Sequence, residues 1–574
     1  MINTEGNSLL KREEKYFNQE LYDFNDYKFD IEYSIEIGKD ILYQEKVNKR
    51  LIKGDFEDSL WVFKDETRDT RINFDFNDID CYSSSIDTQH EWKSIVKCWI
   101  TSLLPSRSVN TVRMYYSGLK TFLLISEGFK SIQTIKDHFN HKLNERKRWG
   151  LTIYILNFLD YFEELDNNLE LLSFLIQAKA EIHTPDLVGT VRILPPSKEV
   201  ILFSWIIEDY FAQIDKDSQE YYKYFSIFLW WNLTNLIPMR PSEFCKLKRN
   251  CINETGNKFY IYLPRIKQKN SKNRIQVIDT IEIPQNLYLL IEDYIERTNS
   301  YGVTETLVSY ASMKSKYHGK LDNNQFSLTI LSYSITKFYE EVVTDKYGYS
   351  VNLNKAANKI ETYDITQMVK PGDTRHFAFL NLMRQGYHPV EIARLGGHVC
   401  LHSQYHYHQH QEYWVDTEIL VLMQKFSLNK RMKQQEHRTG SPIVNYQLEE
   451  EIKEKHIFRV TTSDVRHELE LGYCTDLYQN CKTDCFFCDS WRISPEEYLE
   501  NFQLISEEIE KCDNEVIRLA NVLASLNKLA LKFAFKDDEY AEFNPIFSND
   551  LLIAKNELDT ALYKATKFRN KLKS

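Results

Sequence analysis

At 574 residues, with 43% hydrophobic and 27% charged side chains, the chain is too long for one domain and too apolar for global disorder. Its formal charge of −11 argues at first sight against nucleic acid, yet the acidity is local. Residues 1–90 hold 12 Lys+Arg and 21 Asp+Glu (12 − 21 = −9), whereas residues 240–274 hold 10 basic and 2 acidic side chains (10 − 2 = +8), a field strong enough to hold phosphates.

Residues 1–88 mix short aromatic segments such as Leu60-Trp61-Val62-Phe63 with many acids and show no helical period, so an acidic N-terminal region of unassigned role is expected there. Helical patterning dominates 89–190. After Ser108, the residues Val112, Tyr115, Tyr116, Leu119 and Phe122 recur at three-to-four spacing and predict a small helical bundle. Pro195-Pro196 cannot sit inside a helix and marks the opening of a second domain over 191–425. Its apolar run at 224–238 is interrupted by Asn232, Thr234 and Asn235, which reads as a buried helix and not a bilayer span. Helices are expected at 199–211 and 219–237, then strands at 258–263 and 274–278 joined by a lysine-bearing turn through 270–273. Helices return at 286–297, 328–343, 374–385 and 388–395, with Gly386 placed to end the third of these. A linker and a cysteine module fill 426–493. Ser494, Pro495 and Glu497 then form a helix start that predicts a C-terminal helical hairpin or coiled coil over 494–574. The expected fold is mainly α with a small β-sheet (α+β). The N-terminus lacks a basic segment followed by an apolar one, so a cytoplasmic protein without a membrane anchor is expected.

Four motifs carry chemistry. Arg240 stands before Pro241 and Glu243 at a helix start, and Arg375 stands in Gly372-Asp373-Thr374-Arg375-His376. His398 follows Gly396-Gly397, and Tyr407 comes nine residues after it. Two guanidinium forks, a hydrogen-bonding imidazole and a phenol are what phosphoryl transfer at a DNA backbone needs, since a free phenol, with a pKa of about 10, attacks phosphorus only when cations activate it. Tyr405 is a near competitor for Tyr407. His402 and His406, four apart, permit a rival metal site, although no acidic partner sits at a diagnostic spacing. Cys474, Cys481, Cys485 and Cys488 offer the four thiolates of a structural zinc site. Unpaired thiols and an iron–sulfur cluster remain open alternatives.

The order of Arg240, hairpin Lys, Arg375, His398 and Tyr407 over about residues 90–420 resembles the tyrosine recombinase (phage integrase) family. The cysteine module and trailing helices resemble its larger transposon-borne members, the transposase B type. The resemblance implies a helical core-binding domain followed by a catalytic domain, closing as a C-shaped clamp on double-stranded DNA. It also implies four protomers in a synaptic complex, sister transposase partners and an association with the bacterial nucleoid. By the same resemblance Arg240 and Arg375 grip the non-bridging oxygens and His398 hydrogen-bonds the phosphate. Tyr407 forms a 3′-phosphotyrosyl bond, and Lys269 gives the leaving 5′-oxygen its proton, with Lys267 and Lys272 as alternatives. Arg113 and Lys120 on the bundle, and Lys267, Lys272 and Arg274 on the hairpin, are then DNA contacts. Catalysis takes no ATP, metal or cofactor, and zinc at the cysteines is structural only. In one respect the chain departs from the family: Gly372 occupies the place of the motif's first His, for which Asp373 or His376 are the substitutes at hand. The alternative reading is a non-catalytic DNA-binding subunit that kept the scaffold.

Overall fold

Two hydrophobic cores organise the chain into two compact units, Met1–Thr190 and Val191–Ser574. The computed structural model describes residues 30–65, 67–80, 92–162, 169–181, 192–265, 277–314, 323–353, 363–398, 401, 404, 407, 417–426, 465–479, 485–488, 490–534 and 545–573. The fold is mainly helical with three small three-stranded sheets.

The first unit joins what the sequence reading separates. Helix α1 (Ile31–Val47) and an antiparallel sheet of β1 (Leu51–Lys53), β2 (Leu60–Asp65) and β3 (Thr70–Asp75) share one core with the helices that follow. Those helices are α2 (Trp92–Leu103), α3 (Val109–Ile125), α4 (Ile132–His141), α5 (Glu145–Tyr161) and α6 (Leu169–Glu181). Trp61, Phe63, Phe74 and Phe76 share that core with Trp99, Tyr116 and Leu119, and the Phe74 and Phe76 rings pack on Tyr116. Lys97 on α2 is buried among them. Its Nζ donates to the Phe56 carbonyl at 2.6 Å and lies 5.5, 5.9 and 5.6 Å from the Phe56, Trp61 and Phe76 rings, which gives the ammonium the partners a buried charge requires. The reading of residues 1–88 as a region apart therefore does not describe residues 31–80. Within α3 the spaced residues Val112, Tyr115, Tyr116, Leu119 and Phe122 are all buried, and Ser108 caps the helix by accepting from Thr111 N–H.

The second unit begins with α7 (Ser197–Gln213) and α8 (Gln219–Leu236). Helix α8 is buried along almost its whole length, and after it the short helix α9 (Pro241–Cys245) starts at Arg240. An antiparallel sheet follows, with β4 (Ile252–Thr255), β5 (Lys258–Tyr262) and β6 (Thr280–Ile283). Phe259, Ile261, Ile281 and Ile283 alternate into the core with the period of two that a half-buried sheet needs. Of the strand expected at 274–278, residues 274–276 lie outside the described residues, Val277 and Ile278 are irregular, and the third strand starts at Thr280. Ile278 is held instead by its N–H to the Arg394 carbonyl and by Arg265 Nε on its own carbonyl, which draws the segment out of the ladder. The predicted turn at 270–273 falls outside the described residues.

Helix α10 (Gln285–Thr298) packs beside the sheet, and α11 (Leu328–Phe338) packs on α8 and α9. Of the site-bearing pair, α12 (Asp373–Arg384) packs on α8 and on α14 (Thr417–Lys425), and α13 (Pro389–Gly396) packs on α12 and on the first helix of the C-terminal hairpin. Gly386 sits between α12 and α13 at φ +74°, the left-handed conformation that ends a helix. A small sheet, β7 (His467–Glu468), β8 (Tyr473–Cys474) and β9 (Trp491–Arg492), forms a satellite cluster around Trp491 and Phe568. The C-terminal hairpin, α15 (Phe502–Ala534) and α16 (Pro545–Lys573), sends Val516, Leu519, Leu523, Leu551, Leu558 and Leu562 into the main core. Buried Arg384 of α12 pairs with Asp559 of α16 at 2.9 Å, and Asn527 of α15 donates to the Met383 carbonyl at 3.2 Å. The hairpin is thus a buttress of the helix that carries Arg375. No helix among the described residues is long and apolar enough to cross a membrane.

Candidate active site

Local sequence places each group. The turn Ile237-Pro238-Met239 ends α8 and makes Arg240 the N-cap of α9, where Pro241 takes the first helical position and Glu243 accepts the Arg240 backbone N–H at 2.9 Å. Arg375 lies in the first turn of α12, which is tied to the C-terminus of α8 by the Thr234–Thr374 hydroxyl bond at 2.7 Å. Gly397, at φ +67°, turns the chain off α13 and delivers His398.

The last carbonyls of α13 have no helical partner, and three guanidinium groups take three consecutive ones. Arg265 Nη2 donates to Leu395 O at 2.6 Å, Arg375 Nη2 to Gly396 O at 2.7 Å and Arg240 Nη2 to Gly397 O at 3.2 Å. The negative end of the helix dipole helps hold these cations together. Fully buried Glu243 bridges two of them, at 2.7 Å from Arg240 Nη1 and 3.4 Å from Arg265 Nη1. Three guanidinium charges against one carboxylate leave +2 (3 − 1 = +2) in a mostly buried cluster. Burial pushes the Arg375 guanidinium below its usual range, and it brings Arg265 down to about 10 in spite of Glu243. Such a cluster is short of an anion.

Arg375 also donates from Nη1 to Pro238 O at 2.8 Å and from Nε to the Tyr407 hydroxyl at 3.4 Å, and its Nη2 lies 2.8 Å from His398 Nε2. Because a guanidinium only donates, Nε2 must accept, which puts the imidazole proton on Nδ1. Burial, followed by Arg375 and Arg240, pushes His398 down to about 2, so the ring is neutral at physiological pH. Its buried Nδ1 has no hydrogen-bond partner among the described residues and is left as a donor for a ligand. Phe379 supports the group from below: its ring stacks on Tyr407 at 4.0 Å and on His398 at 4.7 Å, with the Arg375 guanidinium 5.0 Å from its centroid.

The structure thus brings Arg240, Arg375, His398 and Tyr407 together, with the His376 ring 4.7 Å from that of Tyr407. Asp373 stands apart from this constellation. It is buried, it pairs with Arg192 Nε, and it accepts the Lys370 N–H at 2.7 Å, which makes it a clamp on the start of α12. Lys267, Lys269, Lys272, Arg274, Tyr405, His402 and His406 fall outside the described residues. In the first unit Arg113 is exposed on α3, and Lys120 lies with Nζ 5.6 Å from the Tyr116 ring. Of the cysteines, Cys474 is buried, Cys485 exposed and Cys488 half-buried, while Cys481 lies outside the described residues. No three His, Cys, Asp or Glu side chains gather into a metal-binding group among the described residues. Sequence reasoning missed Arg265 and Phe379. Arg265 was counted only as part of the basic stretch at 240–274, and no spacing distinguishes it from its neighbours.

No protein-family model matches the chain, and no curated protein matches it. Among solved structures it is similar to XerA recombinase, at 12% identity and a TM-score of 0.24 over 60% of this chain and 99% of that one. It is also similar to the XerH site-specific recombinase bound to a palindromic difH substrate in a post-cleavage complex, at 12% identity and a TM-score of 0.36 over 67% of this chain and 94% of that one. The XerH pre-cleavage complex matches at 11% identity and the same TM-score and coverage. Overlaps this slight carry no weight, and the site stands on its own residues.

Proposed function

We propose that the chain is a tyrosine-type DNA strand transferase that cuts and rejoins double-stranded DNA, serving the integration or transposition of a mobile element. The observation that carries this reading is the residual +2 charge beside a phenol: Arg240, Arg265 and Arg375 leave a site short of an anion, and the Tyr407 hydroxyl touches it through Arg375. A scissile phosphodiester supplies that anion. The Tyr407 oxygen attacks phosphorus as its proton passes to solvent, the new O–P bond forms, the P–O5′ bond breaks and the 5′-oxygen takes up a proton, for which Lys269 is the proposed source. Guanidinium groups fixed in advance stabilise the charge that spreads over the non-bridging oxygens, and His398 Nδ1–H adds a neutral donor. Reversal by another strand's 5′-hydroxyl completes an exchange without ATP. The C-terminal cysteines are proposed to hold a structural zinc with Cys481 as a ligand. Elemental analysis should then find one zinc per chain that is lost on Cys481→Ser, and zinc-free protein would contradict it.

The test is a nicked duplex spanning the strand-exchange junction mapped in cells that express the chain. Wild-type protein should become covalently attached, and Tyr407→Phe should abolish attachment while leaving duplex binding intact. A wild-type protein that binds the duplex and never attaches supports the non-catalytic DNA-binding reading instead, to which Gly372 in place of a histidine lends its weight.

A further inference from the structure

We propose that Arg192 is an additional phosphate-contacting guanidinium, supplied from the entry of the second unit to the place that Gly372 leaves free on the Arg375 face of α12. This rests on the strand-transfer reading above. A Cβ built on Gly372 would lie 2.9 Å from Arg192 Nη1, 3.1 Å from its Cζ and 3.2 Å from Nη2, so the guanidinium fills the volume that a side chain at position 372 would enter. Gly372 caps α12 with helical φ and ψ, and Arg375 is three positions on. Residues three apart share a helix face with Cβ atoms about 5–6 Å apart, which puts the Arg192 fork one side chain away from that of Arg375.

The fork is fixed on one edge and open on the other. Its Nε is spent on buried Asp373, whose second oxygen is held by Lys370 N–H, so the plane cannot swing freely. Nη1 and Nη2 have no hydrogen-bond partner among the described residues, and the side chain is 38% exposed. A guanidinium anchored through Nε that presents both terminal nitrogens is suited to a two-point grip on a phosphate. Asp373 offsets the Arg192 charge in the free protein and leaves those two nitrogens for the ligand. A plain partner for Asp373 could be a lysine; a phosphate grip could not, because one ammonium cannot serve Asp373 and also present a fork.

The same nicked duplex separates the two roles. Arg192→Lys should keep the melting temperature of the wild type and slow covalent trapping by about a hundredfold, the usual effect of losing one transition-state donor. Arg192→Ala should slow it as much, and Arg192→Ala with Gly372→His should recover most of the rate, since an imidazole then enters the vacated volume. Arg192→Lys trapping at the wild-type rate, or a double variant no faster than Arg192→Ala, overturns the proposal while strand transfer stands. If the wild type itself never attaches, the strand-transfer reading falls and this inference with it.

Discussion

Tyr407, His398 and Arg375 form a short relay in which every link has a physical cause. The guanidinium is held by Pro238 O and Gly396 O, its spare N–H groups fix the imidazole tautomer and reach the phenol, and Phe379 sets the planes of both rings. That design keeps His398 neutral, and the consequence shows in acid. Folding lowers His398 from 6.5 to about 2, and burial lowers His388 from 6.5 to about 4. The unfolded chain therefore binds more protons than the folded one below pH 6.5. Stability from both groups is intact above that pH and is lost as the pH falls, by up to about 1.4 kcal/mol per pH unit for each. Thermal melts should decline more steeply between pH 6.5 and 4 for the wild type than for His388→Gln with His398→Gln, and equal slopes would contradict the account. Arg240, Arg375, His398 and Tyr407 could be singled out from sequence because their residue types at that spacing have a shared chemistry. Arg265 could not, since its importance lies in three carbonyl and carboxylate partners that only the folded chain assembles.

Elements with strong local punctuation were readable in advance. Gly386 ends α12, and Ser494 accepts the Glu497 N–H before Pro495, as their residue types imply. Elements set by distant partners were not. Strand β2 is buried at Trp61, Val62 and Phe63 in succession, so no alternation betrays it, and β6 is displaced because Ile278 bonds to Arg265 and Arg394. The C-terminal helices were expected as a hairpin or coiled coil, and which surface their inner face would cover was set by distant partners: it closes the core over α12. Its best-defined contact is Arg384 with Asp559, the arginine being fully buried. Asp559→Ala strands that charge and should cost about 3 kcal/mol in denaturant melts, whereas adding Arg384→Met should recover most of the loss. A single variant that melts like the wild type would show that the pair contributes nothing.

On the scale of the whole molecule, each unit has its own core, and the acidic N-terminal segment contributes α1 and a sheet to the first. The second unit depends on its far end. Deleting residues 502–574 removes Val516, Leu519, Leu523, Leu551, Leu558 and Leu562 from the main core, at about 1.5–3 kcal/mol for each large side chain. That sum, roughly 9–18 kcal/mol, matches or surpasses the roughly 5–15 kcal/mol by which domains are stable, so the shortened protein should show no cooperative unfolding transition. A shortened chain with an unchanged melting temperature would mean that the hairpin is a separate appendage. Binding and chemistry would then have to be sought apart from it.

Strand transfer by this chain comes down to one bond, between a phenolic oxygen and a DNA 3′-phosphate. Trapped protein–DNA adduct, digested and sequenced by mass spectrometry, should carry the nucleotide on Tyr407. A nucleotide on Tyr405 or any other side chain, or no adduct with junction DNA that the protein demonstrably binds, would contradict it.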